Sequence, residues 1–248
     1  MAQPILNKVQ GTISDLHIWQ GEEDFVMGSG TKTVGGAAAI GAAAAGLAGA
    51  AASAAINISD TEDPVEFFTC NLGDKNIFGR FGTISFHNSD NVVMVVEKQE
   101  GYFEAYAVCR PEDRKIWMYP HCSQGVQAYW RSNIKKLIFS SLIVSQIFML
   151  IMSVLYLFDD ELGIIDFLKI WAYFTPGIIM MLIIIGGWVM LVFSKFSRLS
   201  STIFKALGFK NPDSVDLPKR LKIYLKNSSV SDQEREEYHF YSGWVYRY

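Results

Sequence analysis

Few side chains in this chain of 248 residues stand in a pattern that does chemistry. Gly28-Ser29-Gly30-Thr31-Lys32-Thr33 has the composition of a phosphate-binding loop. That loop needs glycine directly before the lysine and another five residues earlier, so that backbone N–H groups converge on phosphate oxygens. Those positions are Thr31 and Val26, and the motif fails. Cys109, His121 and Cys122 are metal-ligand types. Adjacent His-Cys is a poor chelate spacing, and the sequence offers no evident fourth ligand. His17 and His87 fall in strand and turn positions without nameable partners. Neither a GxSxG elbow nor an HExxH helix occurs. The chain therefore reads as non-enzymatic, with no cofactor, metal or catalytic residue expected. Its three cysteines, Cys70, Cys109 and Cys122, form no CxxC pair. An odd, sparse set fits a reducing compartment better than a disulfide framework.

The remaining polar residues of interest lie inside apolar runs. Leu137–Phe158 and Ile170–Phe193 carry no charge. Each exceeds the roughly 20 helical residues that cross a hydrocarbon core. They are expected to form a transmembrane hairpin within residues 131–198, with spans 137–158 and 170–193. No apolar leader is visible at the N-terminus, so insertion is expected to rely on these internal segments.

Orientation follows from the basic residues at the helix ends. Arg131, Lys135 and Lys136 precede the first span, and Lys195, Arg198, Lys205 and Lys210 follow the second. The connecting loop has only Lys169, beside Asp159, Asp160, Glu161 and Asp166. Seven basic residues against one place both flanks, and both termini, in the cytoplasm. Gln146 lies near mid-bilayer and needs a partner. The matching depth on the second span is near Gly186-Gly187, where small residues let helices approach. A helix-pairing bond is the expected role of Gln146, Gly186 and Gly187; a pore or ion-path residue is the functional alternative. Pro176-Gly177 predicts a local kink.

Residues 1–130 read as a β-rich, membrane-adjacent cytoplasmic domain. Val9–Trp19, Val65–Leu72, Phe78–Phe86, Val92–Glu97, Tyr102–Cys109 and Lys115–Tyr119 are rich in β-branched and aromatic residues. Clusters such as Gln20–Asp24, His87–Asn91, Gln99–Gly101 and Arg110–Arg114 separate them. The pattern predicts an antiparallel β-meander or small barrel, and the whole chain a membrane α+β protein.

An insert at residues 34–58 interrupts that domain, with thirteen alanines, five glycines and no charge. Alanine favours helix and glycine opposes it. Its strongly apolar residues sum to roughly −2.5 kcal/mol on the insertion scale, marginal for a span. A small-residue helix or helical hairpin within the domain is the leading expectation. Membrane insertion through the stretch holding Gly41, Gly46, Leu47 and Gly49, or a flexible linker, are the alternatives. A single span there would split the β-domain across the membrane. Residues 199–248 form a cytoplasmic tail with apolar-periodic Thr202–Phe209, a helical Leu217–Leu225 and six aromatics from Tyr238 to Tyr248. The aromatics suit a final strand or a surface packed on the β-domain, or else a recognition tail.

Three features together resemble a bacterial family described as type VI secretion system effectors. They are the Gly11-Thr12-Ile13-Ser14 strand before the Ala/Gly insert, the hairpin, and the tail Ala206–Pro218 with its aromatic Arg247-Tyr248 ending. The resemblance implies a role in interbacterial antagonism and supplies no active-site residues. The leading expectation is an effector acting at the target membrane; the alternative is an inner-membrane immunity or accessory protein that binds a cognate toxin or secretion partner. The partners expected are the lipid bilayer, a protein (toxin, chaperone or secretion component) and a second copy of the chain. Nucleic acid is not expected at a net charge of −3.

Overall fold

The structure is a computed structural model that describes residues 4–23, 63–156, 164–226, 230–240 and 245–248. The Ala/Gly insert, with Gly41, Gly46, Leu47 and Gly49, lies outside the described residues, as do Asp159, Asp160 and Glu161. The chain divides into two compact units, residues 1–126 with 196–248, and residues 127–195. The first unit thus takes chain from both sides of the hairpin.

Its core is a closed five-stranded barrel made from β1 (Leu6–Glu23), β2 (Asp63–Leu72), β3 (Lys75–Phe81), β4 (Asn91–Lys98) and β5 (Phe103–Arg110). Strand order is β3-β2-β1-β4-β5, and β3 closes onto β5 in parallel at Ile77–Phe103 through Gly79–Ala105. A meander would keep sequential neighbours together. Here β1 separates β2 from β4, which is the connectivity of the five-stranded Greek-key OB barrel. One strand serves two neighbours because β1 is long and interrupted. Its first half pairs β4 and its second half pairs β2, with a bulge between Ser14 and His17. Asp15 adopts a left-handed φ of 57° there. The amide of Leu16 donates to Asn88 Oδ1 at 3.0 Å, so the bulge strands no donor at this position.

The break expected at Gln20–Asp24 is absent as far as Glu23; these polar residues continue the ladder with β2. The Phe78–Phe86 run stops as a strand at Phe81. Beyond Gly82 the Ile84 amide donates to Glu66 Oε2 at 2.6 Å instead of to a ladder carbonyl. Phe86 then turns into the core, edge-on to Phe68 at 5.1 Å and to Trp117 at 5.3 Å. Gly79 admits this packing, because a β-carbon there would stand 2.3 Å from the Phe68 ring.

β6 (Lys115–Met118) pairs the second half of β5 and is joined by β7 (Val245–Arg247) from the chain end. The aromatic tail is thus a strand at its final residues. The tail also bonds the segment that precedes the hairpin: Gly125 donates to Val215 O at 2.9 Å and Leu217 to Ser123 O at 3.2 Å. Helices α3 (Leu217–Leu225) and α4 (Asp232–Phe240) complete this region. Arg247 Nη1 donates to Tyr224 Oη at 2.6 Å and to Glu234 Oε1 at 3.2 Å, joining β7 to both helices.

Two helices are long and apolar enough to cross a membrane, α1 (Val126–Tyr156) and α2 (Ile164–Leu207). At 1.5 Å per residue they rise roughly 46 Å and 66 Å, against a hydrocarbon core of roughly 30 Å. α2 runs unbroken past the expected end at Phe193 because apolar periodicity persists at Phe196, Ile203 and Phe204, all buried. It ends at Gly208, φ 87°, in a Schellman cap. Gly208 donates to Lys205 O and Phe209 to Phe204 O, each at 3.0 Å, and the Phe204 and Phe209 rings touch.

Candidate functional site

Within residues 127–195 the two helices meet along a narrow seam. On α1 it is Leu137, Ser141, Ser145, Met149 and Ser153, spaced by four residues, with Ser141, Ser145 and Met149 buried. On α2 the less exposed positions include Trp171, Thr175, Leu182, Gly186, Met190 and Ser194. Three contacts fix an antiparallel register. Tyr129 Oη donates to the Met190 carbonyl at 3.1 Å, Gly186 faces Leu137, and Trp171 Nε1 lies 3.5 Å from Ser153 Oγ. A β-carbon at Gly186 would stand 2.2 Å from Leu137 Cδ1, so the glycine is what seats that leucine. Small and hydroxyl side chains, which allow close backbone approach, are the expected glue between membrane helices.

Gln146 is not part of this seam. It is exposed, one residue beyond buried Ser145 and on the outer side of α1. Gly187 has no heavy atom within 4 Å of where its β-carbon would be. The expected bond between Gln146 and the glycine pair is replaced by Leu137 against Gly186. With Leu137 opposite Gly186, the glycine pair stands about nine residues, more than two turns, from the level of Gln146, and α2 begins at Ile164 rather than at the expected Ile170. Pro176 sits within α2, which continues through it; Thr175 Oγ1 donates to the Trp171 carbonyl at 2.7 Å beside it.

The orientation residues Arg131, Lys135, Lys136, Lys195 and Arg198 are all exposed. Apolar exposure begins next to them: Phe139, Leu150, Trp188 and Ile184 each show about three fifths or more of their surface. Bare apolar surface of this extent marks a protein-interaction or membrane surface.

The barrel unit carries a polar cluster that the sequence reading passed over as strand residues. β5 is shared, with β3 on one stretch of its edge and β6 on the next, so these two strands diverge near Tyr106. Arg80 and Tyr119 lie at that divergence, with the guanidinium 5.5 Å from the Tyr119 ring centroid. Arg80 Nη2 pairs with Glu104 Oε1, and both side chains are buried. Glu97 stands opposite Glu104 across β4–β5. Tyr106 Oη donates to Glu97 Oε2 at 3.0 Å and lies 3.4 Å from Glu104 Oε2. Gln99 Nε2 lies 3.3 Å and 3.5 Å from the same two oxygens. Burial, with the Glu104 and Glu97 charges, pushes the Tyr106 phenol far above its ordinary value. It therefore stays a neutral donor that screens two facing carboxylates. One signal for the cluster is in the sequence: Arg80 follows Ile77-Phe78-Gly79 and precedes Phe81, and Glu104 stands between Phe103 and Ala105.

The three cysteines belong to the barrel unit. All three are buried as free thiols. Burial pushes Cys70 and Cys109 up to about 12, which keeps them protonated and inert at neutral pH. Among the described residues no group of three or more His, Cys, Asp or Glu side chains is placed to hold a metal ion.

An OB-type strand order is compatible with many functions, so topology alone assigns none. The chain matches no protein-family model, no curated protein and no solved structure.

Proposed function

We propose that this chain is a non-enzymatic bacterial inner-membrane protein of interbacterial antagonism. In this reading α1 and α2 cross the bilayer as a hairpin, and the barrel unit, with both termini, works on the cytoplasmic side. The antagonism rests on the family resemblance; the observation that carries the topology is the β6–β7 pair. Trp117 precedes the hairpin and Val245 follows it, yet they are cross-strand partners in one sheet. Two flanks that fold into one unit must lie on one side of any membrane crossed between them. That supports an out-and-back hairpin, and the basic bias of seven against one selects the cytoplasmic face.

Of the two roles, resident immunity or accessory protein and secreted effector, the geometry favours the resident. A hairpin bracketed by one folded unit inserts with that unit left behind, as a protein made in its own cytoplasm does. An effector entering a foreign bilayer from outside would need to send the acidic loop through it or unfold the barrel. The partner is then a protein bound by the barrel unit, either a cognate toxin or a secretion component.

Expression in a susceptible host separates the roles. Harmless expression that protects against a toxin supports the resident reading. Growth arrest with loss of membrane potential supports the effector.

A further inference from the structure

We infer that the basic end of the hairpin is a binding surface for the phosphate groups of anionic phospholipids. The inference rests on the reading that α1 and α2 span a bilayer. Arg131, Lys135 and Lys136 are exposed on α1, with Arg131 and Lys135 one turn apart on the same face. From Val126 to Tyr156 that helix contains no aspartate or glutamate, and neither does α2 from Trp171 to Lys195. Asp166, in the first turn of α2, is the one carboxylate on these two helices, and it stands at the end of α2 remote from the three cations.

What the cations adjoin identifies the ligand. Leu137 packs at Gly186, so Lys135 and Lys136 share a level with Trp188, which is 66% exposed. Two and three residues beyond Lys136, Ile138 and Phe139 are exposed at 49% and 66%. Cations, an interfacial tryptophan and then bare apolar surface, within about two turns, match a molecule that carries phosphate at one end and acyl chain at the other. Lysine and arginine stems lie along the apolar part while their charged ends reach the headgroup. A nucleic acid or a soluble phosphate would meet the cations and leave the apolar turn uncovered.

The test uses the full chain in mild detergent. Phosphatidylglycerol and phosphatidylcholine are offered in equal amounts, and retained lipids are counted by native mass spectrometry. Three surface cations near a headgroup correspond to a preference on the order of 100-fold at low salt. It should shrink at high salt. The combined variant Arg131→Gln, Lys135→Gln, Lys136→Gln should lose most of that preference, while Lys135→Gln alone should lose about 5-fold. Lys195, Arg198, Lys205 and Lys210 remain in each variant to hold orientation. Inorganic phosphate, added in excess, should displace no lipid. Equal retention by the unaltered chain overturns the inference, as does an undiminished preference in either variant, or displacement by phosphate. Resistance to alkaline extraction from membranes is measured first, and its failure would fall on the membrane reading itself.

Discussion

Tyr246 stands opposite Ile116 in the antiparallel pair β6–β7, although the whole hairpin lies between them in the chain. The sheet that continues from the barrel is therefore completed by residues translated after both helices. β7 and the helix α3 beside it are expected to matter for folding more than a terminal tail would. Deleting residues 245–248 removes the Arg247 bonds to Tyr224 and Glu234 and uncovers the edge of β6. The expected outcome is a barrel unit that unfolds at lower denaturant and is cut by protease after α3, read by limited proteolysis. Unchanged resistance would show that β7 is only an appendage.

At the seam, Gly186 and Gly187 should behave differently despite being neighbours. Gly186→Val drives a side chain into Leu137 and should weaken the helix pair by about 1–3 kcal/mol, the usual range for overpacking. Gly187→Val meets open space, and Gln146→Leu alters an exposed side chain; each should change stability by less than about 0.5 kcal/mol. Unfolding midpoints in detergent measure all three, with Leu137→Ala expected to rescue Gly186→Val. A large effect at Gln146 or Gly187 would return the pairing role to them.

The sequence disclosed the hairpin and most barrel strands but not their arrangement, for definable reasons. Charge-free runs such as Leu137–Phe158 signal a span by length alone. Strand neighbours depend on contacts far apart in the chain, so β3 beside β5 cannot be read from either strand. The seam is not legible from the polarity of Gln146 because it is set by a contact between Leu137 and Gly186. The Arg80–Glu104 pair was overlooked because an isolated charge in a strand usually faces water; here both faces of β3 are largely buried.

In the barrel, Glu104→Gln takes the carboxylate away from buried Arg80, a change that typically costs about 3–5 kcal/mol. Glu97→Gln should cost much less. Glu97 is only partly buried, and neutralising it relieves the repulsion between carboxylates directly opposite each other. Chemical unfolding of the two variants should rank them in that order. Equal losses would mean that the cluster acts as one unit rather than as an ion pair with a screened neighbour.

Thiol ionisation sets an alkaline limit. Burial holds Cys70 and Cys109 at about 12 in the folded chain, against an ordinary 9.0. The folded state keeps protons that the unfolded state has released, so stability falls as pH rises. The contribution is whole below pH 9 and is lost progressively toward pH 12. Unfolding midpoints should be level in this respect from pH 6 to 8 and decline above 9. At pH 8 a maleimide should label the folded chain slowly and three thiols after denaturation. Rapid labelling of the native chain would contradict the burial.

Slow native thiols also make the topology measurable without altering the cysteines. Single cysteines replace Asp160, which falls between α1 and α2 in the chain, and Glu112, an exposed residue between β5 and β6. Intact cells are then treated with a membrane-impermeant maleimide, the unaltered chain serving as the blank. The account predicts labelling of Asp160→Cys in intact cells, and of Glu112→Cys only after the cells are opened. Labelling of Glu112→Cys from outside, or protection of Asp160→Cys until lysis, would contradict an out-and-back hairpin anchored from the cytoplasm.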